Sequence, residues 1–245
     1  MKNSIEQLAI PSLLVNHFYV GVIITLFYIG FSPMIIHAGF PGISVLLAAE
    51  IFILAPLVFA HLKISARKQS VPIQDLILFR QRLSPKSFIA WSLFGLLACA
   101  VVYLPLYPVG LFLRENWFGW LPEWYFNPLY GTENIQLIAN TFLIGIVVDG
   151  LIGPIAEELF FRGYLLPRMA FLKNWAPLVN GSLFGLYHFW QPHNFLATMA
   201  VGIVLSFVAW KTKNVYVAIV IHCTLNILGA VGGFMAASGG IVISR

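Results

Sequence analysis

Long apolar segments constrain this chain more than any other feature of its sequence. Residues 12–37 are mostly apolar, and similar stretches cover about 43–62, 88–113, 136–152, 194–210 and 215–237. A helix needs about 20 apolar residues to cross a hydrocarbon core of about 30 Å. In lipid, only helices and closed barrels satisfy their own backbone hydrogen bonds. The pattern predicts an all-α fold, a polytopic transmembrane helical bundle.

Two further apolar pieces set the expected number of membrane helices at seven or eight. Pro154 suits the first turn of a helix, so a separate helix is expected over about 155–172. Pro177 opens a shorter helix over about 177–191. If the 155–172 piece spans the membrane fully, the count becomes eight. If it returns to its starting side, three lysines lie on the same side as the N-terminus: Lys173, Lys211 and Lys213.

The distribution of charge argues against a nucleic-acid partner and predicts an orientation. Only 9% of residues are charged, with a net charge of +5, against about 25% charged residues in ordinary globular proteins. The basic residues occupy short inter-helix loops and form no stripe that could follow phosphates. The positive-inside rule places the densest cationic stretch, about 61–86, in the cytoplasm. Residues 114–135, with three acids, one arginine and several tryptophans, are expected on the opposite face as an aromatic belt, a substrate lid being the less favoured alternative.

Neither the N-terminus nor the cysteines indicate a soluble or secreted domain. Lys2 and Glu6 precede a long apolar run without an A-x-A cleavage site, which favours a first span over a signal peptide. Cys99 and Cys223 lie inside apolar runs and give no disulfide framework and no CxxC metal spacing.

The chain is expected to form one membrane domain over residues 1–245. The motif-bearing core occupies 136–237, and residues 1–135 supply additional membrane helices and loops. No eukaryotic targeting signal is seen, so a prokaryotic cytoplasmic (inner) membrane is the expected location.

Three charged residues interrupt the apolar core at Glu157, Glu158 and Arg162. An unpaired charge at membrane depth costs roughly 2.5 to 3.5 kcal/mol on insertion scales, so buried partners or a water-filled cavity are implied. Glu158 and Arg162 stand at i and i+4 with the acid first, the orientation that favours an ion pair within a helix. Glu157 points about 100° round the helix from Glu158 and is left free for chemistry.

Two other apolar segments carry polar residues that can meet this acidic pair. His188 follows Phe184 in a short piece, and His222 and Asn226 share one face of the last span at i,i+4 spacing. Each alone is more often a hydrogen-bonded core residue or a helix–helix contact. Together with the charged cluster, however, they would satisfy one another at a single site.

The remaining polar residues of the apolar segments are expected to be structural or interfacial. A direct catalytic role for the acid in the second span is the less favoured alternative. These residues are Glu50, Asp149, His17, His37 and His193.

Such a set of side chains suits hydrolysis of an acyl bond by an activated water. A carboxylate can act as general base, and histidines can shuttle a proton. Asparagine and imidazole N–H groups can stabilise an oxyanion. Zinc held by Glu157, His188 and His222 is an alternative organiser, since three protein ligands and a water are its usual catalytic arrangement. No HExxH or GxSxG motif occurs, and Asp149 is not in a GxGD motif.

The sequence resembles the CAAX-protease and bacteriocin-processing (CPBP, Abi) family of intramembrane proteases. The family pattern is EExxxR, then FxxxH, then HxxxN or HxxxD, each on its own membrane helix. The motifs occur here in that order, within about residues 140–230, and none departs from the pattern. The matching residues are Glu157, Glu158, Arg162, Phe184, His188, His222 and Asn226.

The resemblance implies proteolysis within a conical cavity that opens to the membrane or the cytoplasm. By similarity, Glu157 and His188 would activate the water, while His222 and Asn226 would hold the oxyanion. Glu158 and Arg162 would support the site. The family is described both as zinc enzymes and as metal-free glutamate proteases; we favour the glutamate-activated water.

The expected substrate is a peptide or membrane protein in the lipid bilayer, such as a prenylated C-terminal peptide or a leader peptide. The rival interpretation is a non-catalytic immunity or assembly protein that uses the same polar cluster structurally. A transporter would predict inverted repeats, and none is found.

Overall fold

The computed structural model describes residues 7–239 and shows a helical membrane protein. Within these residues the only β-type pairing is an isolated bridge between Arg80 and Asn214. The predicted all-α polytopic bundle is therefore confirmed. Lys2 and Glu6, on which the interpretation of the N-terminus depends, lie outside the described residues.

Seven main helices form the bundle within the described part of the chain. Four short helical turns connect them, at Ile73–Leu76, Glu123–Phe126, Leu166–Trp175 and Pro192–Asn194. The main helices are α1 (Ile10–His37), α2 (Ile43–Gln69), α3 (Pro85–Asn116), α4 (135–165), α5 (Ala176–Leu186), α6 (Phe195–Thr212) and α7 (Val215–Ser238).

Six helical stretches in residues 7–239 are long and apolar enough to cross a membrane. One of them, Ile135–Leu186, has 52 residues, or about 78 Å as a straight helix, which is more than twice the hydrocarbon thickness. The chain reverses inside this stretch at Lys173, whose φ of 53° and ψ of −127° are not helical.

Helix α5 therefore runs back along α4. Asn180 Nδ2 donates to the Phe161 carbonyl at 3.2 Å, and the Tyr187 hydroxyl donates to Glu157 Oε1 at 2.6 Å. Later residues of α5 thus meet earlier residues of α4. The separate piece expected over about 177–191 is confirmed, and the site is built around this antiparallel pair.

The expected break before Pro154 is wrong, because α4 passes through this residue without interruption. The preceding turn, Val148–Ile152, is π-helical. A proline in a helix lacks an N–H and clashes with the carbonyl four residues before it. The π turn changes that hydrogen-bond spacing, so Pro154 fits inside a continuous helix. A second π-helical turn, Leu159–Leu165, follows Glu158.

The two ends of the bundle differ in charge. At one end Leu8 N donates to the Arg168 carbonyl at 3.2 Å, and Gln81 N donates to the Lys213 carbonyl at 2.8 Å. This end gathers the basic stretch 61–86 with Lys173 and Lys211. The 155–172 piece does not return to its starting side as expected, because it is the second half of α4, which crosses the bundle as one helix.

The opposite end carries the acidic and aromatic segment 114–135. Gly42 N donates to the Tyr130 carbonyl at 3.0 Å, and the Tyr125 hydroxyl donates to the Phe189 carbonyl at 2.8 Å. The loops after α1, α3 and α5 therefore meet there.

Helices α5 and α6 cross with their backbones in contact. A Cβ at Gly181 would lie 2.3 Å from the Ile203 nitrogen, and one at Gly185 would lie 2.4 Å from the Met199 nitrogen. This close approach brings Gly202 and the rest of α6 against α4, where Arg162 lies.

Candidate active site

A cavity of about 670 Å³ lies inside the bundle and receives side chains from all seven helices. Its polar lining includes four residues that the sequence singled out, namely Glu157, His188, His222 and Asn226. The structure therefore brings residues from three separate motifs to one place. Most of the remaining lining is apolar, including Ile24, Leu54, Tyr103, Phe142 and Val201.

Arg162 is fully buried and holds Glu158 rather than facing the cavity. Its Nη1 donates to Glu158 Oε1 at 2.8 Å, and both side chains have no exposed surface. Nη2 donates to the Gly202 carbonyl at 3.0 Å, and Nε donates to Ser206 Oγ at 3.3 Å. The guanidinium carbon lies 4.0 Å from the Phe184 ring centroid. The ion pair predicted from the i,i+4 spacing is present.

Glu157 is the carboxylate that reaches the cavity. Its side chain lines the wall although the residue is only 7% exposed. Oε1 accepts a hydrogen bond from the Tyr187 hydroxyl at 2.6 Å. Oε2 lies 3.8 Å from His222 Nε2, which is beyond direct hydrogen-bond distance. Oε2 is thus the carboxylate oxygen without a short protein contact.

Each of the two histidines is oriented by a hydrogen bond to its Nδ1. His188 Nδ1 lies 2.8 Å from the Phe184 carbonyl, and His222 Nδ1 lies 2.9 Å from Glu158 Oε1. A carbonyl or carboxylate oxygen can only accept, so Nδ1 carries the hydrogen in both rings. Nε2 of each ring is then left for the cavity, which lets the histidines exchange protons there.

Asn226 reaches the cavity but is also bonded to Asp149. Its Nδ2 donates to the Asp149 carbonyl at 2.9 Å and to Asp149 Oδ1 at 3.3 Å. These two oxygens of Asp149 compete with an oxyanion for the amide hydrogens of Asn226.

Two acids that the sequence reasoning treated as structural also line the cavity. Asp149 lies on α4, and Glu50 lies on α2. A Cβ at Gly153 would lie 2.6 Å from Glu50 Oε2, so this glycine lets α2 approach α4. Only the arrangement of helices around the cavity could have revealed that both acids line it.

His17, expected to be a core residue, is fully buried and belongs to a polar chain behind Arg162. Its ring nitrogen Nε2 accepts from Asn180 Nδ2 at 3.1 Å. Asn180 Oδ1 accepts from Ser206 Oγ at 2.8 Å, and Ser206 contacts Arg162. The chain links α1, α5 and α6 to the ion pair on α4.

The residues considered for zinc do not form a ligand set in this structure. Among residues 7–239, no three His, Cys, Asp or Glu side chains are arranged to share one ion. Glu157 Oε2 and His222 Nε2 lie 3.8 Å apart, and no third such side chain is placed to complete a ligand set with them. We therefore assign no step to a metal.

Known proteins are similar to this chain in the part that carries the three motifs. Residues 139–228 match the family model described as type II CAAX prenyl endopeptidase Rce1-like. No solved structure matches the chain significantly.

Two curated proteins match about the same length of chain. One is YdiL of Bacillus subtilis (strain 168), provisionally named a membrane peptidase, which is 31% identical over 100 residues. The other is the UPF0177 protein YxdF of Lactococcus lactis subsp. lactis (strain IL1403), 25% identical over 95 residues. Each match covers 39% of this chain, and it covers 41% of YdiL and 50% of YxdF.

Proposed function

Since residues 139–228 belong to the CAAX-protease and bacteriocin-processing family, we propose that this chain is a membrane-embedded endopeptidase. The observation that carries the proposal is the position of Glu157. One of its oxygens is held by a tyrosine, and the other lies in a cavity beside His188 and His222. A cavity of about 670 Å³ is within the range of ordinary ligand sites, so an extended peptide segment fits.

In the proposed reaction, Glu157 Oε2 takes a proton from water as the water attacks the peptide carbonyl. His188, with its free Nε2, assists by moving that proton toward the leaving amine. The new oxyanion is stabilised by an Nδ2–H of Asn226 and by the Nε2–H of a doubly protonated His222, whose Nδ1–H stays bonded to Glu158. Glu158 and Arg162 do not touch the substrate; they hold His222 in place. Each carboxylate of the acidic pair thus has a separate role.

The substrate in this proposal is a membrane-associated or lipidated peptide, such as a prenylated C-terminal peptide or a leader peptide. The apolar lining of the cavity suits a substrate that arrives from the bilayer. The proposed location is a prokaryotic cytoplasmic (inner) membrane.

The alternative function is a non-catalytic immunity or assembly protein in which the polar cluster is structural. Such a protein needs only a buried cluster in which every polar group is paired. The free Glu157 oxygen favours the enzyme.

The test is a comparison of membrane-protein N-termini in cells that carry wild-type protein, Glu157→Gln or no copy of the chain. We expect new N-termini next to apolar segments with wild-type protein, and their loss with Glu157→Gln. The variant keeps the shape and the hydrogen bond from Tyr187 but removes the base. Membrane yield and unfolding midpoint should match those of the wild type.

The matched control is Glu115→Gln, which makes the same chemical change in the last turn of α3, at a residue that does not line the cavity. It should leave the N-termini unchanged. If Glu157→Gln generates the same N-termini as the wild type, the proposed function is wrong.

A further inference from the structure

We propose that Tyr187 is a positioning residue for Glu157, a role that neither the three motifs nor the comparisons assign. The inference rests on the proposed function, because it deepens the account of the same carboxylate. Its basis is the 2.6 Å hydrogen bond from the Tyr187 hydroxyl to Glu157 Oε1. Hydrogen bonds to a charged acceptor are the short and strong ones.

The packing of Tyr187 leaves its hydroxyl little freedom to point elsewhere. The residue has no exposed surface. Its ring centroid lies 4.6 Å from that of His188, 5.0 Å from that of Phe161 and 5.2 Å from that of Trp190. Aromatic neighbours on several sides hold the ring in one orientation.

The backbone of Tyr187 is also fixed, by contact with α1. A Cβ at Gly21 would lie 2.1 Å from the Tyr187 carbonyl oxygen, so only glycine permits this approach. The position of the hydroxyl therefore depends on the packing of α1 against the end of α5, outside the motif-bearing helices.

The acceptor distinguishes Tyr187 from three other tyrosines whose hydrogen bonds fasten one element to another. The hydroxyls of Tyr28 and Tyr125 donate to backbone carbonyls, and that of Tyr164 donates to Ser65 Oγ. Tyr187 alone in this comparison donates to a carboxylate that faces the cavity. The bond makes the two oxygens of Glu157 unequal: Oε1 is held, and Oε2 is left to accept a proton.

A test that needs no substrate is the labelling of carboxyl groups by dicyclohexylcarbodiimide, which enters membranes and modifies protonated carboxyls. Loss of the hydroxyl donor in Tyr187→Phe removes a contact that favours the ionised form of Glu157. At pH 7 we expect at least about fivefold more label on Glu157, quantified by peptide mass spectrometry. The amount of unmodified Glu157 peptide in the same sample provides the internal reference.

The matched control is Tyr164→Phe, which removes a tyrosine hydroxyl from a residue outside the cavity lining and should leave the label on Glu157 unchanged. A second variant keeps the inference testable if Tyr187→Phe does not fold. Incorporation of 3-fluorotyrosine at position 187 keeps the ring and strengthens the donor, so labelling of Glu157 should fall. Equal labelling of Glu157 in wild type, Tyr187→Phe and the fluorinated protein would overturn the inference.

Kinetics then separate this inference from the proposed function. With an internally quenched peptide that ends in a farnesylated CAAX sequence, Tyr187→Phe should lower kcat about 10- to 100-fold and change KM less than about twofold. Unchanged kcat in Tyr187→Phe, with Glu157→Gln inactive, overturns the positioning role alone. Wild-type cleavage by Glu157→Gln overturns the proposed function. The labelling experiment does not depend on cleavage, so it still tests whether the Tyr187 hydroxyl acts on Glu157.

Discussion

The charge of Arg162 is the single feature on which the buried part of the site depends most. Four groups surround its guanidinium: the Glu158 carboxylate, the Gly202 carbonyl, the Ser206 hydroxyl and the Phe184 ring. Removing one partner of a buried ion pair leaves the other charge uncompensated.

We expect Arg162→Met to lower the free energy of unfolding by about 3 to 5 kcal/mol. Denaturant titration in detergent measures it. The double variant Glu158→Gln/Arg162→Met should recover part of the loss, because neither charge is then buried alone. Arg80→Met is the control: its ion pair with Asp75 is about half exposed, so the change should stay below about 1 kcal/mol. A single Arg162→Met variant as stable as wild type would contradict this prediction.

At the residue scale, sequence spacing predicted side-chain contacts within one helix and missed contacts between two helices. The Glu158–Arg162 pair follows from four-residue spacing alone. Tyr187 lies beside His188 in the sequence, yet nothing in that spacing shows that its hydroxyl reaches Glu157 on another helix. Glu50 was expected to be structural, but its place in the cavity wall beside Asp149 could not be predicted, because the two acids are about a hundred residues apart in the sequence.

At the scale of elements, the crossing of α5 and α6 determines where Ser206 and Gly202 meet Arg162. The crossing requires a glycine at position 181, where the two backbones touch. Gly181→Ala should push the helices apart and lower the unfolding midpoint, with a loss of about 1 to 3 kcal/mol.

The control for this prediction is Gly232→Ala, on α7. A Cβ at Gly232 meets no atom within 4 Å, so this variant should be neutral or more stable by up to about 1 kcal/mol, as alanine favours helix. Equal stabilities of the two variants would show that the α5–α6 contact tolerates a methyl group.

The helices of this protein were easier to predict than their interruptions. Apolar length predicted α1, α3, α6 and α7 with ends within about three residues of those observed, whereas α2 starts where expected but ends seven residues later, at Gln69. Pro154 was interpreted as a helix start because proline is common in the first turn, but a π turn admits it within α4. The actual reversal lies at Lys173, a residue whose left-handed φ no local preference predicts.

At the scale of the molecule, charge asymmetry and cavity position together predict the side of access. The cavity lining extends to Ile43, Pro128, Trp190 and Gln191, at the end opposite the basic residues. If the basic end faces the cytoplasm, as the positive-inside rule expects, this part of the cavity faces the other side. The resemblance alone implied an opening toward the membrane or the cytoplasm.

We therefore expect a membrane-impermeant maleimide to label intact spheroplasts at Glu123→Cys and Gln191→Cys but not at Lys68→Cys. The background carries Cys99→Ala and Cys223→Ala, and permeabilised spheroplasts provide the reference for full labelling. Labelling at Lys68→Cys alone would mean that the orientation is inverted and the cavity extends toward the cytoplasm.

The π turn at Val148–Ile152 has a consequence for how this chain can be compared and altered. Such a turn holds one residue more than an α-helical turn. Deleting one residue there would convert the π turn into an α turn and leave Glu157 and Glu158 in register. The same deletion in an α-helical turn would rotate the following residues by about 100°, so Glu158 would take the place of Glu157. A one-residue gap between relatives therefore belongs in this turn, and a gap placed after Glu157 would assign the wrong glutamate as base.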